Sequence, residues 1–99
     1  MTDKQFNDAF TAAGGWFLLT QCETIWDWTG SKAELIEYLY TKGFDAKPSG
    51  TSTRVSSVLR LIDENRMEDA IVKCRDSKNI NRVHPEACQI AEDILKRRF

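Results

Sequence analysis

The most reactive side chains in this sequence belong to a single histidine and three cysteines. His84 and Cys88 are four positions apart, which places both on one face of a helix, and Cys74 lies in the predicted helix before them. Together they could form a partial metal site, or a cysteine nucleophile with a histidine base. We favour a structural role, because Cys74 lies on an apolar stripe, Cys88 flanks another, and His84 precedes a helix start. We therefore predict neither a metal site nor a cofactor.

The acidic residues do not form the pair that acid–base catalysis requires. Asp63-Glu64, Glu68-Asp69 and Glu92-Asp93 are neighbours in sequence, so the two members of each pair point about 100° apart on a helix. No glycine-rich phosphate-binding motif is present, since Gly14-Gly15 and Gly43 fall where helices are predicted to end. The sequence thus predicts a protein that is not an enzyme and has no small-molecule substrate.

The segment from Lys32 to Asn65 is the part of the chain most like a functional motif. A short predicted helix, a turn and a second helix that opens with Thr51-Ser52-Thr53-Arg54 resemble a helix-turn-helix in outline. In such motifs the first turn of the second helix meets base edges and phosphates with hydroxyl and guanidinium groups. We predict that nucleic acid is contacted by this helix together with two flanking cations, through Lys47, Thr51, Thr53, Arg54, Ser57, Arg60 and Arg82.

Three features weigh against that motif. The connection from Gly43 to Gly50 exceeds the turn of about 3–4 residues that the motif uses. Asp63 and Glu64 would repel phosphate at the far end of the helix, and the isoelectric point of about 5.8 is low for a nucleic-acid-binding domain. In the simpler alternative, the hydroxyls of residues 51–53 cap a helix, and Arg54 and Arg60 are solvated.

The tryptophans support a different kind of binding site. Trp16, Trp26 and Trp28 lie within one short stretch, and tryptophan is enriched at binding hot spots. On one helix these indoles cannot all face the same core, because Trp28 would point about 200° away from Trp26. The chain could therefore be a protein-interaction module, an inhibitor or adaptor of a larger machine, that binds through Trp28 and Trp26. The other possibility is that Trp28 folds under the next helix.

Composition and charge limit the class of protein. The chain has 99 residues and a net charge of −1, which fits one domain over residues 1–99 and excludes a strongly basic nucleic-acid binder. Residues 1–50 hold four lysines and seven acids, whereas residues 51–99 hold ten basic and eight acidic residues, including every arginine. Widely spaced cysteines in odd number, a polar N-terminus and the absence of a long apolar run predict a cytoplasmic protein that spans no membrane.

Apolar residues recur with helical spacing along the whole sequence. Thr2 and Ser31 each begin a capping-box pattern, and the first helix ends at Gly14-Gly15. The apolar stretch from Gly15 to Trp28 predicts a second helix, residues 45–50 a loop, and Asn65-Arg66 a bend between two further stripes. Residues 77–83 look irregular, and His84-Pro85-Glu86 predicts the start of the last helix.

These patterns predict an all-α fold, a compact orthogonal bundle of five to six short helices. The predicted function is a non-enzymatic binding or regulatory module with a macromolecular partner. Nucleic acid is the preferred partner and protein the alternative; the sequence leaves the oligomeric state open.

Overall fold

A computed structural model describes all residues, 1–99, and contains α-helices and no strands. The helices are α1 (Asp3–Ala13), α2 (Gly15–Trp26), α3 (Lys32–Tyr40), α4 (Pro48–Asp63), α5 (Met67–Asp76), α6 (Lys78–Val83) and α7 (Ala87–Arg98). The all-α prediction is confirmed. The predicted count of five to six helices is too low, and the orthogonal arrangement was only an approximation, because α4 packs against α1, α2, α3 and α5 at the centre of the molecule.

Local capping explains where several helices begin. Thr2 and Gln5 form the predicted capping box: the Thr2 hydroxyl accepts from the Gln5 amide at 3.1 Å, and the Gln5 side chain accepts from the Thr2 amide at 2.9 Å. Ser31 accepts from the Glu34 amide at 3.1 Å, which starts α3. Here the Glu34 carboxylate accepts from the Ser31 hydroxyl, so the second box is incomplete.

Two helix boundaries in the structure differ from the predicted ones. Helix α2 ends at Trp26 rather than Trp28. Helix α4 begins at Pro48, so residues 48–50, which were expected in a loop, form its first turn. Proline suits this position because the first helical residue needs no amide donor. The earlier start shortens the connection between α3 and α4.

The extra helix, α6, lies in the stretch that looked irregular. The Ser77 hydroxyl accepts from the Ile80 amide at 3.3 Å, and Asn81 donates to the carbonyls of Arg75 and Ser77. Side-chain hydrogen bonds therefore stabilise a helix that has no apolar stripe of its own. The last helix, α7, starts at Ala87 and not at the predicted His84-Pro85-Glu86, which forms the turn before it.

The core is continuous and draws on six of the seven helices. Its largest fully buried side chains include Phe17, Leu18 and Leu19 from α2, Leu39 from α3 and Leu61 from α4. Helix α6 contributes Ile80 from the edge of this core. No helix combines the length and the apolar character needed to span a bilayer.

Candidate nucleic-acid interface

The main surface concavity is an open groove between α1 and α4, with a volume of about 460 Å³. Small and polar side chains form its walls, because α1 and α4 pack closely along a line of alanines and hydroxyl residues. The lining residues are Asp8, Ala9 and Ala12 from α1 and Ser52, Thr53, Ser56, Ser57 and Arg60 from α4. Three residues of the predicted nucleic-acid site, Thr53, Ser57 and Arg60, therefore line one groove.

Thr51 and Arg54 belong to an internal network instead. Thr51 is fully buried, and its hydroxyl donates to Asp45 Oδ2 at 3.0 Å. Arg54 Nε contacts both Asp45 oxygens, at 3.0 and 3.1 Å, and its Nη1 donates to the Ala13 carbonyl at 2.7 Å. The Arg54 guanidinium also lies over the Phe17 ring, 5.6 Å from its centroid. These two side chains hold the loop before α4 and the end of α1 together, so their polar atoms already have partners.

The hydroxyl protons of Thr53 and Ser57 are also used. Thr53 donates to the Ser49 carbonyl at 3.1 Å, and Ser57 donates to the Thr53 carbonyl at 2.9 Å. Each is a bond to the residue four positions earlier in the same helix. Their oxygens keep lone pairs free. Both residues can therefore accept a hydrogen bond from a ligand, but they cannot donate one to a phosphate.

The groove carries one positive and one negative side chain without an ion-pair partner, Arg60 and Asp8. Five of the seven arginines have a carboxylate partner, namely Arg54, Arg66, Arg75, Arg97 and Arg98. Arg60 has none. Lys47 is exposed at the N-terminal end of α4. Lys32, which the sequence did not single out, reaches from α3 to donate to the Ser56 hydroxyl at 2.8 Å and lies beside the groove.

Arg82 does not join this surface through any contact that the structure shows. It is exposed on α6, which packs chiefly against α5 and α7. Arg60 and Arg82 are the two arginines without a carboxylate partner. They lie on different helices, Arg60 on α4 and Arg82 on α6. The α4 surface and Arg82 are best tested separately.

The two tryptophans of the alternative site are half-buried and have partners within the chain. Trp28 stacks on Tyr38 with ring centroids 5.7 Å apart, and its indole nitrogen donates to the Ser31 carbonyl at 3.0 Å. Trp26 lies 5.8 Å from the Phe99 ring and under the Arg98 guanidinium. The two indoles face different neighbours, so the structure does not combine them into one patch. Tyr38, which is 42% exposed, is the accessible part of the Trp28 stack.

The histidine and the cysteines lie apart from the groove and in different environments. His84 stacks flat on Trp16, with centroids 3.7 Å apart. Cys22 and Cys74 are buried, and burial raises the pKa of each thiol to about 12, while Cys88 is exposed. Thiols with so high a pKa remain protonated near neutral pH and are poor nucleophiles. No group of three or more histidine, cysteine or acidic side chains is arranged to hold a metal ion.

Comparison with known proteins adds no further constraint on this surface. The chain matches no protein-family model, no curated protein and no solved structure at a significant level.

Proposed function

We propose that this chain is a non-enzymatic, cytoplasmic binding module that contacts nucleic acid through the exposed face of α4. One observation carries the proposal: Arg60 has no carboxylate partner and lies in the groove between α1 and α4. Unpaired cations beside an open concavity suit a polyanionic ligand, because phosphate neutralisation releases counterions and favours binding. Lys32 and Lys47, from the neighbouring segments, supply two more cations for the phosphate backbone.

Fewer residues contact the nucleic acid in this proposal than in a helix-turn-helix that reads base edges along its second helix. Lys47 and Lys32 contact phosphates with help from the Ser56 hydroxyl, and Arg60 contacts the nucleic acid from within the groove. Thr51 and Arg54 act from inside the fold by fixing the start of α4. Because cations make the phosphate contacts, the affinity falls as ionic strength rises, with a slope set by the number of these contacts.

Fluorescence anisotropy with labelled oligonucleotides tests this proposal. Single-stranded and duplex DNA of mixed sequence are titrated with the protein at low salt and then at increasing salt. In a Lys47→Ala, Arg60→Ala variant, we expect binding at least about tenfold weaker and a salt dependence shallower by at least about one phosphate contact, that of Lys47.

A matched control removes the same charge elsewhere. In an Arg75→Ala, Lys78→Ala variant the changes fall on α5 and α6, both residues lying outside the groove. This variant should bind like the unmodified protein, and circular dichroism should show that both variants are folded. Absence of binding at low salt, or equal affinity of the groove variant and the unmodified protein, would rule the proposal out.

A second candidate function has its own observation. Tyr38 is exposed, stacks on Trp28 and has the Lys42 ammonium 4.8 Å from its ring centroid. Such an aromatic surface is typical of protein-binding hot spots. If the chain is an inhibitor or adaptor, Tyr38→Ala should abolish retention of a partner protein in pull-down, whereas Lys47→Ala, Arg60→Ala should not affect it.

A further inference from the structure

The groove between α1 and α4 holds two opposite charges that do not pair with each other. Asp8 lines it from α1 and Arg60 from α4, and no ion pair within 4.0 Å joins either of them to any partner. Both side chains are exposed. A purely anionic ligand would gain from Arg60 and would be repelled by Asp8. The ligand that suits both walls therefore offers donors to one side and acceptors to the other.

Two of the four hydroxyl residues in the groove can only accept from a ligand. Because Thr53 and Ser57 donate their protons to helix carbonyls, only their oxygen lone pairs face a ligand. These two oxygens lie on the α4 wall with Arg60, whereas the Asp8 carboxylate is the acceptor of the α1 wall. Phosphate groups carry no donors, so the Asp8 wall of the groove calls for another part of the nucleic acid, and the phosphates are left to the lysines nearby.

Among the four DNA bases, guanine fits this division best. Its Watson–Crick edge presents the N1–H and N2–H₂ donors side by side, which a carboxylate can accept with both oxygens. Its other edge presents O6 and N7, the acceptors that arginine binds in bidentate fashion. Adenine and cytosine lack the adjacent donor pair, and thymine has a single ring N–H. A base can use both edges in this way only when it is unpaired.

We infer that the groove binds an unpaired guanine of a single strand, with Asp8 accepting from its Watson–Crick edge and Arg60 donating to O6 and N7. The methyl groups of Ala9 and Ala12 provide an apolar floor for the base. Lys32 and Lys47 then hold the flanking phosphates. This inference rests on the proposed function and specifies what the groove recognises within it.

The test uses decamers of thymidine with one central position changed to dG, dA, dC or deoxyinosine, measured by anisotropy. The unmodified protein should bind the dG strand at least about tenfold more tightly than the dA and dC strands, as expected for a bidentate contact. Deoxyinosine lacks the N2 amino group, so its affinity should fall between those of dG and dA. Asp8→Asn should remove the preference for dG and leave binding of the all-thymidine strand unchanged or slightly stronger.

Asp3→Asn is the control, because Asp3 is an exposed acid of α1 outside the groove. It should retain the preference for dG. If the unmodified protein binds all strands equally, or if Asp8→Asn keeps the same dG preference, the inference is overturned while the proposed function stands. If no strand binds at all, the proposed function fails and the inference fails with it.

Discussion

At the scale of single residues, Asp45 is the centre of the network that fixes the start of α4. Its carboxylate accepts from the buried Thr51 hydroxyl and from Arg54 Nε, and only 14% of its side chain is exposed. Asp45→Ala would leave both donors without this partner. We expect the free energy of unfolding to fall by about 1–3 kcal/mol, the cost of leaving buried polar groups unsatisfied. Urea denaturation measures this loss.

Asp63→Ala provides the comparison for that measurement. Asp63 is exposed at the end of α4, and its side chain forms no ion pair. Its replacement should change the free energy of unfolding by no more than about 0.5 kcal/mol. Equal effects of the two substitutions would show that Asp45 does not have the structural role assigned to it.

Gly14 separates α1 from α2 in a conformation that suits glycine, with φ of 81°. A Cβ atom at this position would also collide with Arg54 Nη1. Gly43 has a similar φ of 84° and open space around it. We therefore expect Gly14→Ala to destabilise the fold more than Gly43→Ala. The Gly43→Ala substitution should lower the free energy of unfolding by only about 1–2 kcal/mol, the cost of placing alanine in a left-handed backbone conformation. Thermal unfolding of the two variants compares them directly, and equal losses would contradict the role of the Arg54 contact.

The roles of individual residues could be predicted from the sequence only where the helix register was right. Thr51 lies four residues before Val55, and both side chains are fully buried on the inner face of α4. The spacing predicts an inner position for Thr51, but the interpretation of residues 51–53 as capping or nucleic-acid-binding hydroxyls obscured it. The partners of Arg54 are Ala13 and Asp45, far from it in sequence or in a loop, so no local pattern could have identified them.

At the scale of elements, the end of α7 is attached to α2 by charge. Glu23 accepts from Arg97 and Arg98, and Asp27 accepts from Arg98. Hydrogen bonding from Arg97, with a further contribution from Arg98, holds the pKa of the Glu23 carboxyl below its ordinary value of 4.5. The stabilisation is thus fully present above that value and is lost as the pH falls through the lower pKa of the folded state.

Glu23→Gln should show this dependence. At neutral pH we expect the unmodified protein to be slightly more stable, by less than about 1 kcal/mol, since the ion pairs are accessible to solvent. Below pH 4.5 the difference should shrink and vanish. Urea denaturation of both proteins between pH 3 and pH 7 measures it, and a difference that stays constant over this range would argue against the assignment.

Elements with a regular apolar stripe were predicted well from the sequence, and those without one were not. Helices α1 and α5 have clear stripes, and both lie where the pattern indicated. Helix α6 depends on the Ser77 hydroxyl, which accepts from the Ile80 amide, and on the Asn81 side chain, which donates to the Ser77 carbonyl; no apolar periodicity reflects these bonds. Trp28 was predicted at the end of a helix but lies after it, because α2 ends at Trp26 and the chain turns toward α3.

At the scale of the whole molecule, cysteine labelling reports on global unfolding. Cys22 and Cys74 are completely buried in the core, whereas Cys88 is exposed. Iodoacetamide should therefore modify Cys88 within minutes in the native protein and the other two only when the molecule opens, which is rare at ordinary protein stabilities. Mass spectrometry should detect one adduct in buffer and three in denaturant. Rapid modification of three thiols in buffer would show that the core is not packed as described.

The fold class followed from the sequence because helical periodicity extends over most of the chain. The candidate binding surface did not, because it depends on which cations are neutralised by partners distant in sequence. Arg54 and Arg60 look alike in the sequence, yet Arg54 is paired with Asp45 and Arg60 is free. Charge counts over each half of the chain contain no information about such pairing.

The Arg54 guanidinium spans from α4 to the last carbonyl of α1, and these two helices are the walls of the groove. This hydrogen bond links the two walls without a ligand, and we expect it to limit how far they can separate. A preformed cleft loses little conformational freedom on binding, so tight association does not require a large buried area. The Arg54→Lys variant cannot reproduce the forked geometry of the guanidinium. It should therefore have a lower affinity for ligands that contact both walls and an unchanged affinity for ligands that contact only α4.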